Sequence, residues 1–278
     1  MVDLRRYSST LSRGDDGVWR AATRAPVSYP EHGNEICFQV EEGSFWFLHR
    51  NRCIVELIRR HPPESTDPIF DIGGGNGFVA LAVQNSGHAA VVVEPGPSGA
   101  RNASSRGVEY VVEATLETAG FRPGSLPAVG LFDVVEHIEE DAAFLTEVHG
   151  VLAPQGTLFL TVPAQPLLWS RDDVEAGHFR RYTISGLGSL LERVGFEVVY
   201  ASYFFKLMPI PILLLRSLPS RLGLRGHITS KVTQSEHRPR KGWTGRFLQW
   251  SLDKEVDRIQ QGLVMHSGSS CLVAARKT

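Results

Sequence analysis

Cysteine is scarce in this chain: three in 278 residues, Cys37, Cys53 and Cys271, with no CxxC pair and no Cys/His spacing. That excludes a disulfide framework and a structural zinc site, and it fits a reducing compartment. Excess charge is lacking too, since 29 basic residues meet 30 acidic ones for a net charge of −1, so nothing global points to nucleic acid. No long apolar run exists. The longest, from Tyr203 to Leu218, is broken by Lys206, Pro209, Pro211 and Arg216, which excludes an ordinary spanning helix. The first residues carry charges with no apolar stretch behind them and so read as no secretory signal; a cytoplasmic protein is expected. Internal repeats and low-complexity tracts are absent as well.

What is present is the make-up of a globular domain: 42% hydrophobic and 21% charged residues. Residues 1–28 are polar, Arg-rich and aperiodic and read as a mobile N-terminal tail. Residues 29–66 read as a helical lid segment, in which Phe45, Leu48, Ile54, Leu57 and Ile58 fall at helical spacing before HPPESTDP stops the helix. Residues 67–206 alternate. Strands are expected at Pro68–Ile72, Ala89–Val93, Glu109–Val112, Leu126–Phe132, Thr157–Val162 and Phe196–Ser202. Helices are expected at Phe78–Ser86, Ser98–Ser105, Glu139–Leu152 and Ile184–Val194. Such alternation predicts a doubly wound α/β fold, a mainly parallel sheet with helices on both faces. Residues 207–266 interrupt it with an apolar Pro-rich piece, a basic piece and a helix around Phe247–Gln260, and read as a cap inserted before a final strand in 267–278.

The sharpest signal is IFDIGGGNGF, Ile69 to Phe78, between a strand and a helix. Glycines there permit a tight turn and a close approach of backbone to ligand. The spacing discriminates among ligands. A dinucleotide loop needs glycine three residues after Gly75, where Phe78 stands, and a P-loop needs a Gly-Lys-Ser/Thr ending that is absent. What remains is Asp71 followed by Gly73, Gly75 and Gly77, with Glu94 at the end of the next strand, where a carboxylate can accept from both hydroxyls of a ribose.

These residues resemble motif I of the class I S-adenosylmethionine-dependent methyltransferases. The resemblance continues through GLFDVVEHIEEDAAFLTEVHGVLAPQGTLFLTVPA, LWSRDDVEAGHFRRYT and GSSCLVAARK, which look like the type 11 group, from about Glu41 to the C-terminus. It implies a Rossmann-like seven-stranded sheet with the last strand antiparallel, and S-adenosylmethionine as cofactor. It implies that Asp71, Gly73, Gly74, Gly75, Asn76, Gly77 and Phe78 wrap the methionine and ribose part and that Glu94 and Pro95 lie at the ribose. By the same resemblance Ala114, Thr115 and Leu116 border the adenine, and Leu131, Phe132 and Asp133 line the floor. Glu113 is the acid nearest to where members often hold the adenine amino group. Pro127 stands where relatives often have Asp.

Methyl transfer to a sulfonium's partner is mainly a positioning problem, and a base is needed only when the acceptor must lose a proton. Three places could serve the acceptor. His137 lies just past the fourth core strand, with helix capping as the competing role. GHFRRYT offers His178, Arg181 and Tyr182, with an Arg–Asp network through Asp172 or Asp173 as the competing role. Glu41, Trp46 and Arg50 resemble a lid over the cofactor, with core packing as the alternative. The run His137, Glu139, Glu140, Asp141 has metal-binding residue types, but it opens a helix and lacks a second ligand cluster, so no metal is expected. The expected function is methyl transfer to O, or N, of a small-molecule acceptor such as a sugar, a lipid-linked molecule or a secondary metabolite. The apolar, basic-edged cap raises a peripheral membrane contact. The alternatives are a non-catalytic cofactor-binding scaffold and an NAD(P)-dependent oxidoreductase, the latter disfavoured by Phe78. Nucleic-acid methylation would use Lys231, Arg238, Arg240 and Lys241, but no Asn-Pro-Pro-Tyr motif accompanies them.

Overall fold

A computed structural model describes residues 2–23, 33–63, 67–224 and 242–278. Four-residue runs of apolar residues make the central strands, because a strand covered on both faces needs no polar side. β3 (Ile69–Ile72), β4 (Ala90–Val93) and β5 (Tyr110–Glu113) are buried at every position. β6 (Leu126–Phe132), β7 (Leu152–Pro163), β8 (Phe196–Phe204) and β9 (Ser270–Lys277) complete the expected set. The order is β5-β4-β3-β6-β7-β9-β8; β5 to β7 are parallel, and β9 lies antiparallel between β7 and β8. The expected seven strands and antiparallel last strand are therefore present.

Two more strands join them. β1 (Ser12–Arg13) and β2 (Trp19–Arg20) form an antiparallel pair, and β2 runs parallel to β5, extending the sheet to nine strands. Over residues 2–23, the part of the expected 1–28 tail that is described, this corrects the mobile-tail reading: Leu4, Tyr7, Leu11 and Val18 are buried. The reason lies in the β5–β6 crossover, where residues 114–125 contain turns but no helix. That stretch of sheet face would be bare, and the N-terminal segment covers it. The Tyr7 ring meets Phe70 edge-on at 4.9 Å, and Phe70 meets Phe121 at 5.3 Å.

One face of the sheet packs on the N-terminal segment, α5 (Asp141–Val151) and α7 (Ile184–Arg193), through Leu145, Val148, Leu187 and Leu191. The other packs on α2 (Phe45–Arg60), α3 (Phe78–Asn85), α4 (Pro97–Ser105) and α10 (Gly242–Gln260). α2 starts where the Ser44 hydroxyl accepts from the Phe47 amide, and it buries Cys53, Ile54, Leu57 and Ile58. Leu48, expected on that buried stripe, is exposed, since 100° per residue carries it to the opposite side. β7 begins earlier than expected. Gln155 takes φ 62°, so APQG is a kink inside the strand, opposite a register shift at Pro127, which has no amide to donate.

α10 is fastened to α2 by Arg52–Asp253 (2.6 Å) and by a buried His49–Glu255 pair (3.0 Å). Glu255 also accepts from the amides of Phe205 and Lys206, both at 2.7 Å. A helical run follows β8: α8 (Pro209–Ile212), a π-helical turn (Leu213–Ser217) and α9 (Leu218–Arg221). The basic residues Lys231, Arg238, Arg240 and Lys241 lie outside the described residues.

Candidate cofactor and acceptor site

β3 is the switch point of the sheet, pairing with β4 on one side and β6 on the other, so a crevice opens at its carboxyl end. The glycine loop sits there. Gly73, Gly75 and Gly77 have φ of 71°, 51° and 70°, the left-handed region. Gly77 caps α3 and is also pinned sterically: a Cβ there would stand 2.7 Å from Val108 Cγ2. A Cβ at Gly74 would stand 2.9 Å from Asp71 Oδ2 and cover it. That oxygen is buried and has no hydrogen-bond partner among the described residues. Burial, with a smaller push from Glu94 opposed by Arg50, raises the Asp71 carboxyl to about 7.

Glu94 directly follows β4. Its Oε2 accepts from the Gly75 amide (2.9 Å) and its Oε1 from the Gly96 amide (2.8 Å). Burial raises this acid, and those two amides work against the rise. The Asn34 side-chain amide also donates to Oε1 at 3.5 Å, so the carboxylate is aimed by backbone and by the α1 region, and Oε2 keeps a lone pair for a further donor.

Above the loop lies α1 (Gly33–Val40), followed by Glu41. The Asn76 side-chain amide donates to Asn34 O (2.8 Å) and Glu41 Oε1 (3.2 Å), while its Oδ1 accepts from Asn102. Arg106 ties Glu41 Oε2 (2.6 Å) to Asn76 O (2.9 Å) with both charged side chains buried. Its guanidinium lies 5.0 Å from the Phe78 ring centre, so Phe78 packs against the ion pair that holds Glu41. Asn34, Asn102 and Arg106 were not singled out from sequence, because they reach the loop only through contacts dozens of residues apart.

β6 ends at Phe132, with Leu131 in one core layer and Phe132 in the other. Asp133 follows in the left-handed region (φ 59°), held by Thr161, whose hydroxyl donates to Oδ1 and whose carbonyl accepts from the Asp133 amide. Arg50 reaches from α2 to Asp133 Oδ2 at 2.6 Å, joining the expected lid to the expected floor. Trp46 stacks flat on Phe205 at 3.7 Å. On the opposite side, Thr115 and Thr118 exchange hydrogen bonds in the turn after β5, and Leu116 is core. Glu113 accepts from Arg20 of β2 at 2.9 Å, so the N-terminal strand already engages the acid nearest the expected adenine position.

The loop after β7 is built by local rules. Ser170 and Asp173 form a capping box at the start of α6 (Arg171–Ala176), and Gly177 (φ 80°) ends it. Asp173 is thereby fixed, and its other oxygen accepts from His178 Nδ1 (3.0 Å) and Arg181 Nε (2.7 Å). Burial acts to raise this acid, but the His178 bond and the Arg181 charge outweigh it and hold the carboxyl below its ordinary range. The Arg–Asp network weighed from sequence is therefore present, with Asp173 as its centre, and it positions His178. The His178 ring stands edge-on to His137 at 4.8 Å. Burial, then the neighbouring His178, lowers His137 to about 4, so it is neutral at pH 7. Glu136 beside it is buried, and burial and Asp133 push its carboxyl well up.

Tyr182 does not join this group. Its hydroxyl donates to Asp141 Oδ2 (2.9 Å), and burial followed by that carboxylate raises the phenol far above its ordinary value. A buried hydroxyl must find a partner, and Tyr182 found one at the start of α5, where it acts as a brace.

A family model described as a methyltransferase domain matches residues 47–201, more than half of the chain. A ubiquinone biosynthesis O-methyltransferase of Xanthomonas campestris pv. campestris is 29% identical over 99 residues, 34% of this chain and 41% of that protein. One of Xylella fastidiosa is 23% identical over 113 residues, 38% of this chain and 46% of that protein. The matches thus span less than half the length of these curated relatives. Among solved structures, one of a Haloferax volcanii methyltransferase with the Trm112 activator aligns over 90% of this chain and 97% of that one at TM-score 0.58 and 13% identity. Phosphoethanolamine N-methyltransferase 2 of Haemonchus contortus, with S-adenosylmethionine, aligns over 90% of this chain and 58% of that one at 0.56 and 16%. The cyclase SpnF aligns over 91% and 98% at 0.55 and 14%. At such identities the likeness is one of fold. The residues present suit the cofactor of the matched family: a buried acid with one unpartnered oxygen for a cation, a backbone-aimed carboxylate for ribose hydroxyls, and a glycine-rich loop between them. The chain belongs to the methyltransferase-domain family and has the class I fold whose cofactor is S-adenosylmethionine.

Proposed function

We propose that the protein transfers a methyl group from S-adenosylmethionine to an oxygen, less favourably a nitrogen, of a small-molecule acceptor. The observation that carries this is the His178–Asp173 pair facing His137 at the carboxyl end of the sheet. Bound S-adenosylmethionine supplies an electrophilic methyl on a sulfonium. Asp71 faces the methionine ammonium, and Glu94 accepts from the ribose hydroxyls. Pro95 lies beside Glu94 at the ribose, Thr115 and Leu116 border the adenine, and Asp133 with Phe132 closes the floor. Arg50 and Trp46 shut the site from the α2 side and exclude water. His178, its Nδ1 proton committed to Asp173, presents Nε2 to take the proton of an acceptor hydroxyl. Arg181 holds Asp173 in place. The curated relatives' printed names, O-methyltransferases, favour oxygen as acceptor atom.

An apolar or lipid-linked acceptor is the favoured class. Ile210, Leu214, Leu215, Leu222, Leu224 and Trp243 are exposed on the helical run and the start of α10. The run packs on the loop leading to His178: Ser217 donates to Leu168 O, the Ser220 hydroxyl accepts from the Arg171 amide, and Arg216 pairs with Asp172.

Calorimetric titration with S-adenosylhomocysteine, beside NADH, tests the cofactor half of this reading. Binding of the first alone is expected; binding of NADH alone would replace the proposal with an oxidoreductase. Labelled-methyl transfer to matched phenol, sugar-alcohol and amine acceptors then tests the rest. Transfer only to amines would refute the oxygen assignment.

A further inference from the structure

Glu136, His137 and His178 make a cluster that positioning a methyl group does not require. Each offers one ligand atom, and these atoms lie within 4.8 Å of one another. Glu136 is 1% exposed and its Oε2 has no hydrogen-bond partner among the described residues. An ionisable oxygen left unpaired in the interior is unfavourable unless a proton or a cation joins it. The guanidinium groups nearby hydrogen-bond to other acids, Arg50 to Asp133 at 2.6 Å and Arg181 to Asp173 at 2.7 Å.

The remaining geometry is that of a ligand set. Asp173, itself 1% exposed, fixes the His178 ring through Nδ1 and leaves Nε2 as its lone-pair nitrogen, the carboxylate–histidine arrangement that orients metal ligands. The two imidazoles meet at 79°, so they stand edge to face with no parallel stacking. The amide of Phe179 donates to Glu136 O at 2.7 Å and ties the two loops that carry the cluster. A tetrahedral ion with bonds of about 2.0–2.2 Å would hold its ligand atoms about 3.4 Å apart, a contraction within reach of side-chain rotation. The His178 side chain is 17% exposed, so the cluster keeps an opening on one side.

We propose that Glu136, His137 and His178 bind one divalent ion of the zinc class, with an open coordination position toward the acceptor. Two imidazoles and one carboxylate suit zinc, cobalt or manganese better than calcium or magnesium. A bound ion would take His178 Nε2 out of the base role; an acceptor oxygen in the open position would instead be acidified by the ion and lose its proton to solvent, which narrows the acceptor to molecules presenting a hydroxyl or two adjacent hydroxyls. That narrowing rests on the methyltransferase reading; ion binding does not.

The full chain, stripped with a chelator and dialysed, is titrated with Co2+ while its visible d–d bands are followed, and with Zn2+ by calorimetry. One ion per chain is expected, with affinity falling about a hundredfold in Glu136→Gln and His178→Ala, and about tenfold or more in the orienting variant Asp173→Asn. Thermal melting and S-adenosylhomocysteine titration of each variant report folding independently of the ion. A folded wild-type chain that gives no cobalt bands, or bands unchanged in both ligand variants, overturns the proposal and leaves a protonated Glu136 as the explanation. Homocysteine-product binding without metal would leave the methyltransferase reading standing, and metal without that product would do the reverse.

Discussion

At Asp71 one carboxyl couples stability to ligand. Its folded value of about 7 lies above the ordinary 3.8 because burial disfavours the charge. Between those two values the folded protein keeps a proton that the unfolded chain has lost. Its contribution to stability therefore falls as pH rises through that window and is absent above it. A ligand ammonium beside Asp71 reverses the preference by favouring the charged form. Affinity for S-adenosylhomocysteine is expected to rise several-fold from about pH 6 to about pH 8, with the Asp71→Asn variant flat in the same calorimetric series. A wild-type profile as flat as the variant's would remove Asp71 from the ammonium site. Glu94 makes a simpler case. Removing a carboxylate that accepts two charge-assisted bonds from a ligand should cost about 1.5–3 kcal/mol, or roughly 10–150-fold in affinity, for Glu94→Ala. An unchanged dissociation constant would mean that the ribose lies elsewhere.

Elements succeed here where their own residues settle them. The glycine loop and α3 meet at Gly77, whose left-handed φ and contact with Val108 both forbid a side chain. Gly77→Ala should lower stability by about 2 kcal/mol or more in chemical denaturation, whereas Gly87→Ala, with φ 97° and open space around it, should cost about 1 kcal/mol. Equal costs would show that sterics at the loop contribute nothing. The same locality made β3, β4 and α3 legible in sequence, since periodicity and caps act within a few residues. β1 and β2 were not legible. Each has two residues, too short for a pattern, and their place depends on a crossover without a helix a hundred residues away. Leu4, fully buried in that layer, gives the check: Leu4→Ala should cost about 2–4 kcal/mol, where a free tail would lose nothing.

Across the whole molecule, the fold leaves the reaction open. The same architecture appears in an N-methyltransferase and in the cyclase SpnF at similar TM-scores, so the acceptor side must be argued from its own residues. The proposed acceptor side lies next to the 209–221 run, which with the residues that follow it and α10 carries exposed Leu214, Leu215, Leu222 and Trp243. None of the described helices is long and apolar enough to cross a membrane. If this face meets lipid, the chain should sediment with anionic vesicles, and Leu214→Glu with Leu215→Glu should abolish it. Wild-type chain that stays in the supernatant would confine the apolar face to the acceptor.

The sequence by itself determined the alternation of strand and helix, the spacing of Asp71, Gly73, Gly75 and Gly77, and the place of Glu94 at the end of the second core strand. These follow from interactions between near neighbours, which the order of residues states directly. Tertiary structure alone decided that Arg50 closes on Asp133, that Glu113 is taken by Arg20, that Tyr182 braces α5, and that Glu136, His137 and His178 converge. Those pairings join helices, strands and loops dozens of residues apart in the chain, and their distances are set by how the sheet twists and packs, which no spacing along the chain records.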